Sequence, residues 1–139
     1  MGKELKVTIT NELSGIEQVQ TQFDQFALLN KLEPDITYKI NLAIDELITN
    51  TISYGFEDDK KHYITVHVTI QEKSLSVIIE DDGKIFNPLE VSVPELDQSV
   101  EERKIGGLGI YLTRQFTDEL SYKRKAGKNI ISFKKKIIP

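Results

Sequence analysis

Residues 64–79 constrain the fold more than any other stretch of this chain. Ile64, Val66, Val68 and Ile70 alternate with Thr65, His67, Thr69 and Gln71; after Glu72-Lys73-Ser74 the alternation resumes with Leu75, Val77 and Ile79. Period-two alternation places every apolar residue on one face of a strand. The short connection makes the two strands a hairpin. One face must be covered and the other left wetter, unlike the continuously apolar strands of a doubly wound parallel sheet. Leu5-Lys-Val7-Thr-Ile9 repeats the pattern, and closing strands are expected at about 120–125 and 129–137, joined by a turn at Ala126-Gly127-Lys128.

Helices are expected to cover that face. Ile16, Val19, Phe23, Phe26 and Leu29 recur at helical spacing, with Asn11 or Ser14 as the cap and an end near Asn30. Glu33-Pro34-Asp35 starts a second helix, since proline suits the first position and an acid suits the dipole. Its buried stripe is Ile36, Ile40, Ala43, Ile44, Leu47, Ile48 and Thr51, and Gly55 is expected to end it in the usual glycine manner. A third helix is expected from Gly106 to Phe116. Between Lys84 and Ile105 the pattern lapses for longer than the ~12–15 residues of an ordinary loop, which predicts a lid at about 84–105 with a short helix near Glu95 to Arg103. The expected fold class is α+β: a two-layer sandwich with a mixed, mostly antiparallel sheet and helices on one face, all of residues 1–139 in one domain.

Composition narrows the function classes. With 39% hydrophobic and 29% charged residues, the 139-residue chain is expected to be globular with a real core. Its net charge of -4 argues against nucleic acid as the main ligand, because non-specific duplex affinity needs basic surface. Absence of cysteine excludes disulfides, zinc-thiolate sites and cysteine nucleophiles. With no apolar signal core and no run near ~20 apolar residues, a cytoplasmic location away from membranes is expected. Lys134-Lys135-Lys136 reads as the guard of an edge strand. There is no P-loop, Rossmann fingerprint or H-E-x-x-H motif. His62 and His67 read as surface residues of a strand rather than metal ligands.

Three separated stretches have chemical character. Glu46 and Asn50 lie one helical turn apart beside the buried stripe. A carboxylate can take a proton from a nucleophile, and a carboxamide oxygen can coordinate a hard divalent cation; alone, such a pair is more often a solvated helix face. Asp81 continues the Leu75, Val77, Ile79 series and should point inward, where a lone carboxylate costs several kcal/mol without a partner. It could be a turn aspartate, or it could accept a hydrogen bond from an exocyclic amine such as that of adenine. Gly83 after it permits close backbone approach or positive φ. Gly106-Gly107-Leu108-Gly109 opens a helix, either to let it pack closely or to offer free N–H groups and a positive dipole end to phosphate. Taken together, a base-binding acid, a phosphate-binding helix start, a lid and a metal-plus-base helix form one nucleotide site.

These residues resemble a known family. Glu46-x-x-x-Asn50, Asp81-x-Gly83 and Gly107-x-Gly109 are similar to the N box and two glycine boxes of the GHKL ATPases, which have the Bergerat fold. Glu-Leu-Ile-Thr-Asn, Asp-Asp-Gly-x-x-Phe86-Asn87-Pro88, Gly-Gly-Leu-Gly-Ile and the late Gly127-Lys-Asn129 resemble, more narrowly, the anti-sigma-factor serine kinases. The resemblance covers about residues 33 to 136. It implies that Glu46 is the base on the attacking hydroxyl, that Asn50 holds Mg2+, and that Asp81 binds the adenine amine of ATP. It also implies that Gly83, Gly106, Gly107, Leu108 and Gly109 bind phosphate or hinge the lid. Such proteins phosphorylate a serine on a small STAS-domain antagonist, sequester a sigma factor and commonly dimerise.

Some positions depart from the family pattern. Ile85 stands where the first glycine box has its second glycine, and is expected to narrow backbone access to the nucleotide. Arg103 and Lys104 are the cations nearest the expected place of the terminal phosphate, and Ser53 replaces a basic residue that many members carry. A nucleotide-gated binding module without kinase activity is the alternative reading. A sensor histidine kinase fragment is disfavoured, because residues before Pro34 are expected to form one strand and one helix without histidine.

Overall fold

The computed structural model describes residues 3–90 and 105–137. In chain order these form β1 (Glu4–Thr10), α1 (Ser14–Leu29), α2 (Pro34–Tyr54), β2 (Tyr63–Gln71), β3 (Ser74–Asp81), a 3-10 turn (Pro88–Glu90), α3 (Ile105–Phe116), β4 (Glu119–Lys125) and β5 (Lys128–Lys136). The strands make one sheet in the order β1-β2-β3-β5-β4. Every pair is antiparallel, so the mostly antiparallel sheet expected from the sequence contains no parallel pair among the described residues. The reason is topological. β3 and β4, the strands on either side of α3 in the chain, run in the same direction, but β5 is inserted between them and pairs with both.

Register turns the sequence alternation into a core. Val7, Val66, Ile79 and Ile131 align across four strands, as do Leu5, Val68, Val77 and Phe133. Seven of these eight are buried and Leu5 is partly so. Against them α1 sets Ile16, Val19, Phe23 and Phe26, and α2 sets Ile40, Ala43, Ile44, Leu47 and Ile48. Each such side chain contributes about 1.5–3 kcal/mol relative to exposure, which fixes the helices to this face. Thr8, Thr65, Glu80 and Lys6, His67, Ile78 lie on the other face.

Local chemistry explains most boundaries. α2 starts at Pro34 after an extended Glu33 (φ -63, ψ 141), the conformation a residue before proline prefers. At the β4–β5 hairpin Ala126 (φ 52) and Gly127 (φ 77) supply the left-handed pair that a two-residue turn demands. Three expectations need correction. Lys134-Lys135-Lys136 does not guard an edge, because β5 pairs with both β3 and β4. Neither Asn11 nor Ser14 caps α1; Leu13 precedes the helix without a side-chain cap bond. Asn11 is engaged elsewhere, its Oδ1 accepting from His62 N at 3.1 Å. Gly55 follows α2 with φ -89, outside the left-handed region, so it does not end the helix through positive φ. The short helix expected near Glu95 to Arg103 lies outside the described residues, as does most of the expected lid. No helix among the described residues is long and apolar enough to cross a membrane.

Candidate functional site

Gly109 on α3 packs directly on Glu46 of α2. A Cβ at 109 would lie 2.0 Å from Glu46 Cγ, so the contact requires glycine. Thr113 Oγ1 donates to the Gly109 carbonyl at 2.8 Å and braces this turn of α3. Glu46 is 7% exposed, and its Oε2 is buried without a hydrogen-bond partner among the described residues. Burial, and secondarily the charge of Asp45, raises its pKa above the ordinary carboxyl value. A carboxylate oxygen in this setting can accept a proton.

Asn50, one turn further along α2, is buried, and its Nδ2 donates to the Pro88 carbonyl at 3.4 Å. Committing the amide nitrogen fixes the direction of Oδ1. The Pro88–Glu90 turn is itself braced. Leu89 N donates to Asn87 Oδ1 at 2.9 Å, and Arg114 Nη2 on α3 donates to Leu89 O at 3.1 Å. Both α2 and α3 thus hold the turn that precedes residues 91–104.

Asp81 ends β3 in the row Ile9–Ile64–Asp81–Asn129, which faces the helices as the alternation predicts. The residue is 5% exposed, and its Oδ1 accepts from Gly83 N at 2.8 Å and Asn129 Nδ2 at 3.1 Å. Burial raises the Asp81 pKa, and those two hydrogen bonds pull the other way. Both bonds fall on Oδ1, so Oδ2 is the oxygen left for a further donor among the described residues. Gly83 serves close approach rather than positive φ: a Cβ there would lie 2.4 Å from the Gly55 carbonyl. The Lys84 N–H donates to that same carbonyl at 3.0 Å, tying the Asp81 turn to the end of α2.

Asn129 organises this corner, and its contacts were not legible in the sequence. Its Nδ2 also donates to Lys84 O at 2.7 Å, while its Oδ1 accepts from Tyr122 Oη at 2.6 Å, Phe86 N at 3.2 Å and Arg124 Nη1 at 3.2 Å. Arg124 in turn donates to Gly83 O at 2.8 Å. The Gly127-Lys-Asn129 likeness marked the residue; its pairing with Asp81 follows only from the β3–β5 register.

The structure therefore brings Glu46, Asn50 and Gly109 together and links Asp81 and Gly83 to the same helix through Gly55. The backbone of Gly106, Gly107 and Leu108 belongs to the first turn of α3, where helical N–H groups lack intrahelical partners. Ile85 is 74% exposed. Arg103 and Lys104 lie outside the described residues. No cluster of three or more His, Asp or Glu able to hold a metal occurs among the described residues. The Asn50 carboxamide oxygen is a hard donor of the kind that suits a cation keeping several waters.

An open antiparallel sheet with three helices is the fold of the GHKL ATPases. The family model described as the histidine kinase-like ATPase domain matches residues 9–135, and the chain belongs to that family. It is similar to the serine/threonine-protein kinase BtrW of Bordetella bronchiseptica, at 28% identity over 91% of this chain and 86% of that one. It is also similar to the anti-sigma F factor of Clostridium novyi, at 31% identity over 78% and 79% of the two chains. Among solved structures, the RsbU and RsbW domains of a Mycobacterium tuberculosis protein superpose with a TM-score of 0.71 at 15% identity. That match covers 96% of this chain and 32% of the other, and it bears on the fold alone.

Proposed function

We propose that this protein is a cytoplasmic, magnesium-ATP-dependent serine kinase of the partner-switching type. It phosphorylates a serine on a small STAS-domain antagonist and sequesters a sigma factor or similar regulator, acting as a homodimer. The observation that carries the reading is the buried Glu46 packed against Gly109, its Oε2 without a hydrogen-bond partner among the described residues. The names of the Bordetella and Clostridium relatives support the kinase and anti-sigma roles respectively.

ATP lies along the C-terminal half of α2, from Glu46 to Gly55, a run of roughly 13 Å at 1.5 Å per residue. Asp81 Oδ2 accepts from the adenine amine, and Gly83 keeps the backbone close beside it. The first turn of α3, from Gly106 to Gly109, meets the phosphates with N–H groups and the positive end of its dipole. Arg103 and Lys104 are the cations assigned to the terminal phosphate. Asn50 Oδ1 is the protein ligand for Mg2+, which when bound neutralises charge on the phosphates. Glu46 Oε2 accepts the proton of the attacking serine hydroxyl as the new O–P bond forms and the bond to ADP breaks. A raised pKa makes Glu46 a better base than a solvated glutamate. Phosphoryl transfer needs mainly positioning and charge neutralisation, so this small set suffices.

The test is Glu46→Ala incubated with labelled ATP and a serine-bearing STAS domain. ATP binding should persist while phosphate transfer falls by about 10²–10⁴-fold, the usual contribution of a positioned base. Transfer at the wild-type rate would remove Glu46 from the chemistry, and a wild-type protein that binds ATP yet labels no partner would leave the binding-module reading in place.

A further inference from the structure

His62 bridges two acidic residues from separate segments around the Asp81 turn. Its Nε2 lies 2.6 Å from Asp58 Oδ1, in the α2–β2 connection, and its Nδ1 lies 3.0 Å from Asp82 Oδ1, next to Asp81. A carboxylate oxygen only accepts, and a neutral imidazole carries one N–H. Both contacts are therefore hydrogen bonds only when the ring holds both protons. The ring is largely enclosed, its side chain 15% exposed, and it stacks on Phe56 with centroids 4.7 Å apart. Its backbone is pinned from the β1–α1 junction by reciprocal bonds with Asn11, each 3.1 Å.

Three further contacts close the same seam. Lys84 N donates to Gly55 O, Lys84 Nζ pairs with Glu57 at 3.0 Å, and Phe56 Cε1 stands where a Cβ at Gly83 would come within 2.9 Å. The 55–62 connection is thus the outer wall of the Asp81–Gly83 turn. Within it, His62 is the residue whose charge changes nearest neutrality.

We propose that His62, as an imidazolium bridging Asp58 and Asp82, is a positioning residue for the Asp81 base pocket. Losing its second proton loosens the wall and weakens adenine binding. The proposal rests on the nucleotide reading above. Among the described residues, the charged groups facing this ring are the Asp58 and Asp82 carboxylates. Lys60 donates its backbone N–H to Asp58 at 3.0 Å, and Lys84 and Glu57 offset each other nearby. The bond to Asp58 first, and that to Asp82 second, raise the His62 pKa, while burial opposes them. A raised folded-state pKa means the bridge is complete below the unfolded value of about 6.5 and is lost as pH rises through the folded value. Nucleotide affinity should follow that direction.

The experiment follows the Gly83 amide and the His62 ring by NMR from about pH 5.5 to pH 9 without nucleotide, in the full chain. Magnesium-ATP affinity is then measured over the same range for wild type, His62→Gln and Asp58→Asn. Comparing proteins at each pH cancels the titration of ATP itself. The Gly83 amide should move with the His62 midpoint. Wild type should bind ATP about three- to tenfold more tightly than His62→Gln near pH 6, the net worth of one ordinary hydrogen bond, with the ratio closing towards one near pH 9. Asp58→Asn leaves the ring in place and should lower the His62 midpoint; it carries the comparison if His62→Gln does not fold. A Gly83 amide indifferent to His62, or an affinity ratio constant with pH, would overturn the proposal alone. Absence of ATP binding at every pH would overturn the nucleotide reading and this proposal with it.

Discussion

Glu46 is buried where an amide or an alkyl group would be cheaper. Its pKa is raised by burial and by Asp45, so its charged form is less favourable in the folded chain than in the unfolded one. The sign of the linkage is then fixed. The group destabilises the fold progressively as pH rises above its unfolded value of 4.5, and fully above the raised folded value. Glu46→Gln should therefore gain stability relative to wild type as pH rises. The difference in melting temperature, variant minus wild type, should move upward by about 2–6 °C between acid and neutral pH. Thermal unfolding at several pH values checks this, and a difference that does not change with pH would deny the carboxylate its cost.

Residue-scale legibility was uneven for the same physical reasons. Glu46 and Asn50 could be paired because helical spacing is local, and the inward direction of Asp81 followed from strict alternation. Asn129 and His62 could not be read this way. What each touches depends on segments far apart in the chain: Asp81 for Asn129 across β3 and β5, and Asp82 for His62 across the 55–62 connection.

At the scale of elements, the α2–α3 contact is the junction on which the candidate site depends, and Gly109 sets its spacing. Alanine at 109 would gain about 1 kcal/mol in helix propensity over glycine. Against that, its Cβ would sit 2.0 Å from Glu46 Cγ, far inside the ~3.5–4.0 Å of a carbon–carbon contact. Overpacking of this kind costs about 1–3 kcal/mol and displaces what it strikes. The overlap should win, so Gly109→Ala is expected to lower the melting temperature and to weaken ATP binding together. Calorimetric unfolding with a parallel ATP titration reads both. A stabilised variant with intact binding would show that the helices do not meet as described.

Element boundaries were legible where local chemistry sets them. Proline at the first position located the start of α2, and α3 begins one residue before the glycine cluster, at Ile105. The cap of α1 was not, because Asn11 bonds to His62 across the β1–β2 pair instead of to its own helix. A capping side chain can be claimed by a tertiary partner, and sequence spacing carries no record of the competition.

For the whole molecule, periodicity revealed two layers but not the strand order. The connection from β3 to β4 passes through residues 82–118, long enough to return on either side of β5. The insertion of β5 puts Asn129 beside Asp81, while Gly55 and Lys84 bind the turn after β3 to the end of α2. The ends of α2 and β3 thereby meet at one corner beside Asp81, while the start of α3 packs on Glu46 further back along α2; the account places the base at the first and the phosphates at the second. The measurement that tests this most directly is calorimetric titration of the full chain with magnesium-ATP and with magnesium-GTP, alongside Asp81→Asn. The account predicts that wild type binds ATP at least about tenfold more tightly than GTP, and that Asp81→Asn loses most of that preference, as expected when a buried acceptor of the adenine amine is altered. Equal affinity for the two nucleotides, or no binding of ATP, would contradict it.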